Sequence, residues 1–199
     1  MLITKIFNVE SSHRVVNCSS DRCKFSIHGH SAVIEVTLEG RRPDNGGMVY
    51  DFGLMKNSIK EFIDSMDHTH ILYSKDDPEY INFIKKMNKR WIILPVSPSA
   101  EFLSAFIFSY VDFILKNTTT ANGEGYLRVY SVKYHETKTG SATCFKEDIP
   151  CWFGDDIFKQ VKFSDGVMED WSMDLYNVLY TENYKITNKQ VKQQAERNW

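Results

Sequence analysis

The sequence has few cysteines, no dominant charge and no long apolar run, and each shortage removes a class of protein. Only four cysteines occur in 199 residues, Cys18, Cys23, Cys144 and Cys151, and none forms a CxxC pair. A dense disulfide framework is therefore excluded, and reduced thiols are the expected state. Net charge is -2 at neutral pH, from 24 basic and 26 acidic side chains. Neither nucleic acid nor an anionic membrane is expected as a partner for such a chain. No apolar run approaches the roughly 18–20 residues that span a bilayer. The opening stretch "MLITKIFNVE" has no basic region, apolar centre or small-residue cleavage site. It does not read as a signal peptide, and a cytoplasmic protein is expected. Hydrophobic residues at 42% and charged residues at 25% are ordinary for a globular chain long enough to bury a real core.

The residues present are strongly patterned. "LITKIFNV" (residues 2–9) reads as a strand with His13 just beyond it. Residues 14–27 lack periodicity and form a loop holding Cys18 and Cys23. In the next strand His28, His30, Ala32, Ile34, Val36 and Leu38 share one face, while Glu35, Thr37 and Glu39 share the other. Phe52, Met55, Ile59, Phe62, Ile63 and Met66 recur at helical spacing, with Asp51 as a cap. Residues 74–94 form an insertion with a short helix in "PEYINFIKKMNKRW". "VSPSAEFLSAFIFSYVDFIL" predicts a second helix, Ser97 at its N-cap and Pro98 at its first position. "YLRVYSVKYHET" predicts a strand with Tyr126, Arg128, Tyr130, Val132, Tyr134 and Glu136 on one face, and "SATCF" a further strand. This order predicts an α+β fold, an antiparallel sheet backed by two helices. Residues 1–149 are expected to form the domain and 150–199 a C-terminal extension, with helices around "VMEDWSMDLYNVLY" and in the polar end "NKQVKQQAERNW".

Seven positions carry candidate chemistry. Residues two apart on a strand point the same way, so His28 and His30 can offer two imidazoles to one point. A catalytic Zn²⁺ takes three protein ligands and keeps one position open. His13, at the end of the neighbouring strand, is the natural third if the two strands pair antiparallel. Alone, His-Gly-His reads equally as a polar entry into a strand. Cys23 lies in a polar loop between Arg22 and Lys24. Cations and a metal favour a thiolate there, although the local sequence also fits an inert loop thiol. Asp67 precedes His68 after the first helix, and a carboxylate beside an imidazole suits a proton relay. A histidine decorating a helix end is the alternative. His70 reads as surface. Glu136 ends an aromatic strand face, where a carboxylate can accept paired N–H donors from a guanine-like ring or simply meet solvent.

Together, "VESSHRV", "C....HGHSAVIEVTLEG", "GGMVYDFGLMK", "MDHTHIL", "SPSAEFLSAFI" and "VKYHET" resemble the 6-pyruvoyl-tetrahydropterin synthase / 6-carboxy-tetrahydropterin synthase family. Each motif is weak alone; all of them in order, over residues 2 to about 145, are highly specific. The resemblance implies a tunnelling fold (T-fold), trimers that pair into hexamers, and active sites between subunits. It implies that His13, His28 and His30 bind zinc, that Cys23 is the proton acceptor, and that Asp67 and His68 form the relay. Glu136 would anchor the pterin ring, and Glu101 would belong to the pterin pocket. The implied substrate is 7,8-dihydroneopterin triphosphate. The implied activity is that of a lyase, a 6-carboxy-5,6,7,8-tetrahydropterin synthase of 7-deazaguanine (queuosine-type) biosynthesis. A 6-pyruvoyl-tetrahydropterin synthase and a non-catalytic pterin-binding T-fold protein are the rival readings.

The chain departs from the family's pattern in places. Four residues separate Cys23 from His28, between the shorter gap of the bacterial carboxy branch and the longer gap of the animal pyruvoyl branch. Spacing therefore does not fix the product. Cys18 is a more distant fallback for the base. No glutamate stands at the cysteine position, which argues against the variants that carry one there. The 74–94 insertion and the residues after 145 match no part of the family pattern.

Overall fold

The computed structural model describes residues 1–153 and 157–188. Strands β1 (Leu2–His13) and β2 (His28–Gly40) flank the short helix α1 (Asp21–Phe25). Helix α2 (Ser58–Asp64), strand β3 (Thr69–Tyr73), helix α3 (Pro78–Met87) and strand β4 (Trp91–Leu94) follow. The long helix α4 (Ala100–Lys116) leads through β5 (Thr118–Thr119) to β6 (Leu127–His135) and β7 (Ser141–Phe145). Beyond it lie α5 (Ile149–Phe153), α6 (Ile157–Gln160), β8 (Lys162–Phe163), α7 (Asp165–Met168), α8 (Met173–Tyr180) and β9 (Ile186–Thr187). Seven strands form one sheet in the order β7-β6-β2-β1-β3-β4-β8, and β5 pairs with β9 separately.

The alternation in β2 sets the layer order. Ala32, Ile34, Val36 and Leu38 are sealed from solvent on one face. Against that face pack α2 and α4, whose aromatic residues interlock: Phe62 stacks on Tyr110 at 4.8 Å and Phe106 meets Tyr110 edge-on at 5.0 Å. Burial of these large apolar side chains is the main stabilising term of the layer. The extension joins the same core. Phe163 lies 5.6 Å from Tyr110 and 5.0 Å from Trp171, and Val167, Leu175 and Val178 are buried with them.

Several local expectations are corrected. The sheet is mixed: β1–β2, β2–β6, β6–β7 and β4–β8 are antiparallel, but β1–β3 and β3–β4 are parallel. The connection between β3 and β4 carries α3, the crossover that parallel neighbours require. "WIIL", read as part of an insertion, is a strand inside the sheet. The first helix begins later than its apolar spacing suggests. A 3₁₀ turn at Leu54–Lys56 precedes α2, Phe52 is exposed, and Asp51 caps neither element: its Oδ1 accepts from the Gly53 N–H at 2.6 Å, ahead of the turn. Helix α4 starts after Ser99 rather than Ser97. The face expected for β6 is broken by a register shift opposite Thr37/Leu38, so Val129 is buried and Tyr130 exposed while Val132 and Tyr134 still point inward. The helix around 167–180 is two helices, α7 and α8, and the final polar helix falls on residues outside those described.

Candidate active site

The antiparallel register of β1 and β2 sets His13 directly opposite His28, with Ser11 opposite His30. The three imidazoles meet edge to face with centroids 4.7, 5.1 and 5.0 Å apart. One nitrogen from each lies within 4.8 Å of the others. Two of the rings are oriented from behind. The Nδ1 of His13 bonds the Pro98 carbonyl at 2.7 Å, and the Nδ1 of His28 bonds the Ser26 carbonyl at 3.0 Å. A carbonyl can only accept, so each Nδ1 carries the proton and each Nε2 presents a lone pair. The Nε2 atoms of His13 and His30 are buried without a hydrogen-bond partner. Such atoms are costly unless something satisfies them. Burial, then the charges of His28 and His30, pushes the His13 pKa down to about 4, so the ring is neutral at physiological pH, as a metal ligand must be. Three nitrogen donors of this kind fit Zn²⁺ with an open position.

Beside the cluster lies a cavity of about 350 Å³ whose walls include Cys18, Cys23, His28, Glu101 and Glu136. Cys23 stands on α1, pinned by the Val15 N–H to Cys23 carbonyl bond at 2.9 Å. Glu101 is in the first turn of α4. Glu136 follows β6, its Oε1 3.5 Å from His13 Nε2 and 3.7 Å from His30 Nε2. Cys18, the more distant fallback with nine residues between it and His28, shares the wall because the loop folds back. Cys144 is buried, and burial pushes its thiol up to about 12, which removes it from thiolate chemistry.

Asp67 and His68 are positioned separately. His68 has φ of +56°, an uncommon backbone conformation for a residue with a side chain. Its N–H donates to the Glu10 carbonyl at 2.7 Å, and the Glu10 N–H donates to Asp67 Oδ1 at 2.7 Å. Asp67 Oδ2 holds His68 Nδ1 at 2.7 Å. Desolvation raises the Asp67 pKa, but the Glu10 N–H and His68 outweigh it and the carboxyl is held below its usual range. His68 opens into a second cavity of about 320 Å³, shared with Glu10, Ser12, His30 and His70 and not with Cys23. One chain thus gathers Cys23, Glu101 and Glu136 in one cavity and leaves His68 in the other.

A family model described as 6-pyruvoyl tetrahydropterin synthase matches residues 2–147. The chain belongs to that family. The 6-carboxy-5,6,7,8-tetrahydropterin synthase of Helicobacter pylori strain J99 is 38% identical over 177 residues, 86% of each chain. That of strain 26695 is 35% identical over 189 residues, 92% of each. The crystal structure of an uncharacterised protein from Wolinella succinogenes superimposes with TM-score 0.59 at 20% identity, covering 73% of this chain and 98% of that one. The fold is the T-fold of the tetrahydropterin synthases. Matches over 92% of the chain reach past residue 147, so residues after 145, without a counterpart in the family pattern, do have one in these synthases.

Within this synthase fold, sequence reasoning missed His70. Expected at the surface, it is buried, with Nδ1 2.7 Å from Ser12 Oγ and Nε2 2.6 Å from Tyr80 Oη. Arg14 lies over the Tyr80 ring at 3.8 Å and pairs with the buried Asp76. Burial, then the Arg14 charge, pushes the His70 pKa down to about 4. The one local hint is the apolar pair Ile71 and Leu72 that follows it; its place on β3, between β1 and β4, is set by the sheet. No helix among the described residues is long and apolar enough to cross a membrane.

Proposed function

We propose that the protein is a zinc-dependent 6-carboxy-5,6,7,8-tetrahydropterin synthase acting on 7,8-dihydroneopterin triphosphate, in the cytoplasm, within 7-deazaguanine (queuosine-type) biosynthesis. The observation that carries this reading is the His13, His28 and His30 trio, with two buried nitrogens unpartnered, beside a cavity walled by Cys23, Glu101 and Glu136. The carboxy branch is favoured because the Helicobacter pylori relatives bear that name at 35–38% identity over most of the chain.

His13, His28 and His30 would hold Zn²⁺, which when bound polarises the substrate's side-chain hydroxyls and acidifies the adjacent C–H bonds. Cys23, as thiolate, accepts a proton from such a carbon. Glu136 accepts the paired N–H donors of the pterin ring, and Glu101 closes the same pocket. His68 serves as the second acid/base group, its Nδ1 held by Asp67 so that Nε2 faces the substrate. Because His68 and Cys23 open into different cavities of one chain, we assign the complete site to a homo-oligomer, a trimer or hexamer, in which a neighbouring copy brings its Asp67–His68 pair to the Cys23 cavity.

Mass spectrometry after incubating zinc-loaded protein with 7,8-dihydroneopterin triphosphate tests the reading. A carboxy-pterin with acetaldehyde is expected. A pyruvoyl-pterin without acetaldehyde would move the protein to the other branch, and bound but unchanged substrate would make it a pterin-binding protein only.

A further inference from the structure

The Asp67–His68 turn is tied to the C-terminal extension by one side chain. The Arg90 Nε donates to the Asp67 carbonyl at 3.0 Å, and Nη2 donates to the Ser65 carbonyl at 2.9 Å. The same guanidinium donates through Nη1 to the Gly166 carbonyl and pairs through Nη2 with Asp170 at 2.7 Å. Its backbone is fixed as well, since the Arg90 carbonyl accepts from the His70 N–H at 3.0 Å. Next to it, Trp91 and Ser164 exchange two bonds: the Trp91 N–H donates to Ser164 Oγ at 2.9 Å and the Ser164 N–H to the Trp91 carbonyl at 3.0 Å. The backbones touch here too. A Cβ on Gly166 would lie 2.7 Å from the Lys89 carbonyl oxygen.

We infer that Arg90 is a positioning residue for the Asp67–His68 pair, and that residues 164–170 of the extension hold its guanidinium in place. The turn needs such a clamp because His68 sits in the left-handed region, a conformation that persists only where its surroundings over-determine it. β1 supplies one set of constraints through Glu10. Arg90 supplies the other by bridging the carbonyls on either side of Met66. Only a planar fork reaches both carbonyls, the Gly166 carbonyl and a carboxylate together; an ammonium on the same stem does not. The extension thereby acquires a role at the site although it lies outside the matched family model, which ends at residue 147. The inference rests on the proposed function for what His68 does, but not for how the turn is held.

The test is Arg90→Lys in the full-length protein, read by steady-state kinetics on 7,8-dihydroneopterin triphosphate and by hydrogen exchange at the Glu10 and His68 amides. We expect kcat to fall about 10- to 100-fold, the scale set by misplacing a reacting group by about 1 Å. KM and zinc content stay near wild type, and both amides exchange faster. Gly166→Ala, which pushes the extension off Lys89 while leaving Arg90 intact, changes the same readouts in the same direction by less, and stands in should Arg90→Lys fail to fold. Ser172→Ala removes a separate anchor of the extension, the 2.6 Å bond to Glu61; it lowers the melting temperature and leaves kcat alone. Wild-type kcat and exchange in Arg90→Lys or Gly166→Ala would overturn the inference, as would an equal kcat loss in Ser172→Ala. A wild-type protein without turnover would defeat the proposed function, while the exchange measurements would still judge the clamp.

Discussion

His13 and His70 lie on adjacent strands, in a parallel register that sets Ser12 beside His70 and His13 beside Ile71. Both are nearly sealed from solvent, and burial pushes both down to about 4. Their ring nitrogens differ. His70 bonds at both ends, to Ser12 and Tyr80, and needs nothing further. His13 bonds at one end, to Pro98, and its other nitrogen faces His28, His30 and Glu136 with no hydrogen bond. A buried histidine with two partners is part of the scaffold, whereas one with a single partner, aimed at two more histidines, is prepared for an ion. A depressed pKa alone does not separate the two.

Removing one histidine from each group breaks the comparison most sharply. His28→Ala is expected to lose zinc by elemental analysis and all measurable turnover. His70→Ala should keep the metal and lose roughly 2–4 kcal/mol in urea unfolding, because it leaves Ser12 and Tyr80 unpaired beside a cavity. Next in size, Cys23→Ala should retain zinc and fold but lose about 10²–10⁴-fold in kcat, the usual contribution of a general base. Unchanged turnover would shift the base elsewhere, with Cys18 on the same cavity wall as the first position to test.

The pH dependence of stability sharpens the scaffold half. The His70 pKa is about 4 in the fold against 6.5 in the unfolded chain. The unfolded chain therefore takes up the extra proton, and stability is lost as pH falls through that interval. Between about pH 7 and pH 5 metal-free protein should lose roughly 2 kcal/mol on account of His70, and in urea titrations His70→Gln should lack that part of the slope. The smallest effect concerns the helix that carries Tyr80. Asp77 caps α3, accepting from the Glu79 and Tyr80 N–H groups at 2.7 and 3.3 Å. Asp77→Ala should cost about 1 kcal/mol in unfolding with zinc content unchanged.

These two regions were not equally legible in the sequence. The His13–His28 pairing follows from period-2 alternation and an antiparallel return through one loop, both local signals. The β2 face was readable for the same reason. His70 was not, because its partners Ser12 and Tyr80 lie 58 and 10 residues away and neither forms a recognisable motif with it. β4 was missed because a four-residue apolar run does not distinguish a strand from a helix edge. The bulge in β6 leaves no mark in the alternation, so Tyr130 was assigned to the wrong face. Arg90 shows no periodicity at all; its role arises from four oxygens supplied by Ser65, Asp67, Gly166 and Asp170.

The proposed function depends on a zinc ion held by three imidazoles with Cys23 left free as the base. X-ray absorption at the zinc edge of the loaded protein tests it most directly. The expected spectrum has a nitrogen/oxygen shell at about 2.0–2.1 Å with the outer-shell pattern of three imidazoles. A sulfur shell at about 2.3 Å would make a cysteine a ligand and contradict the claim.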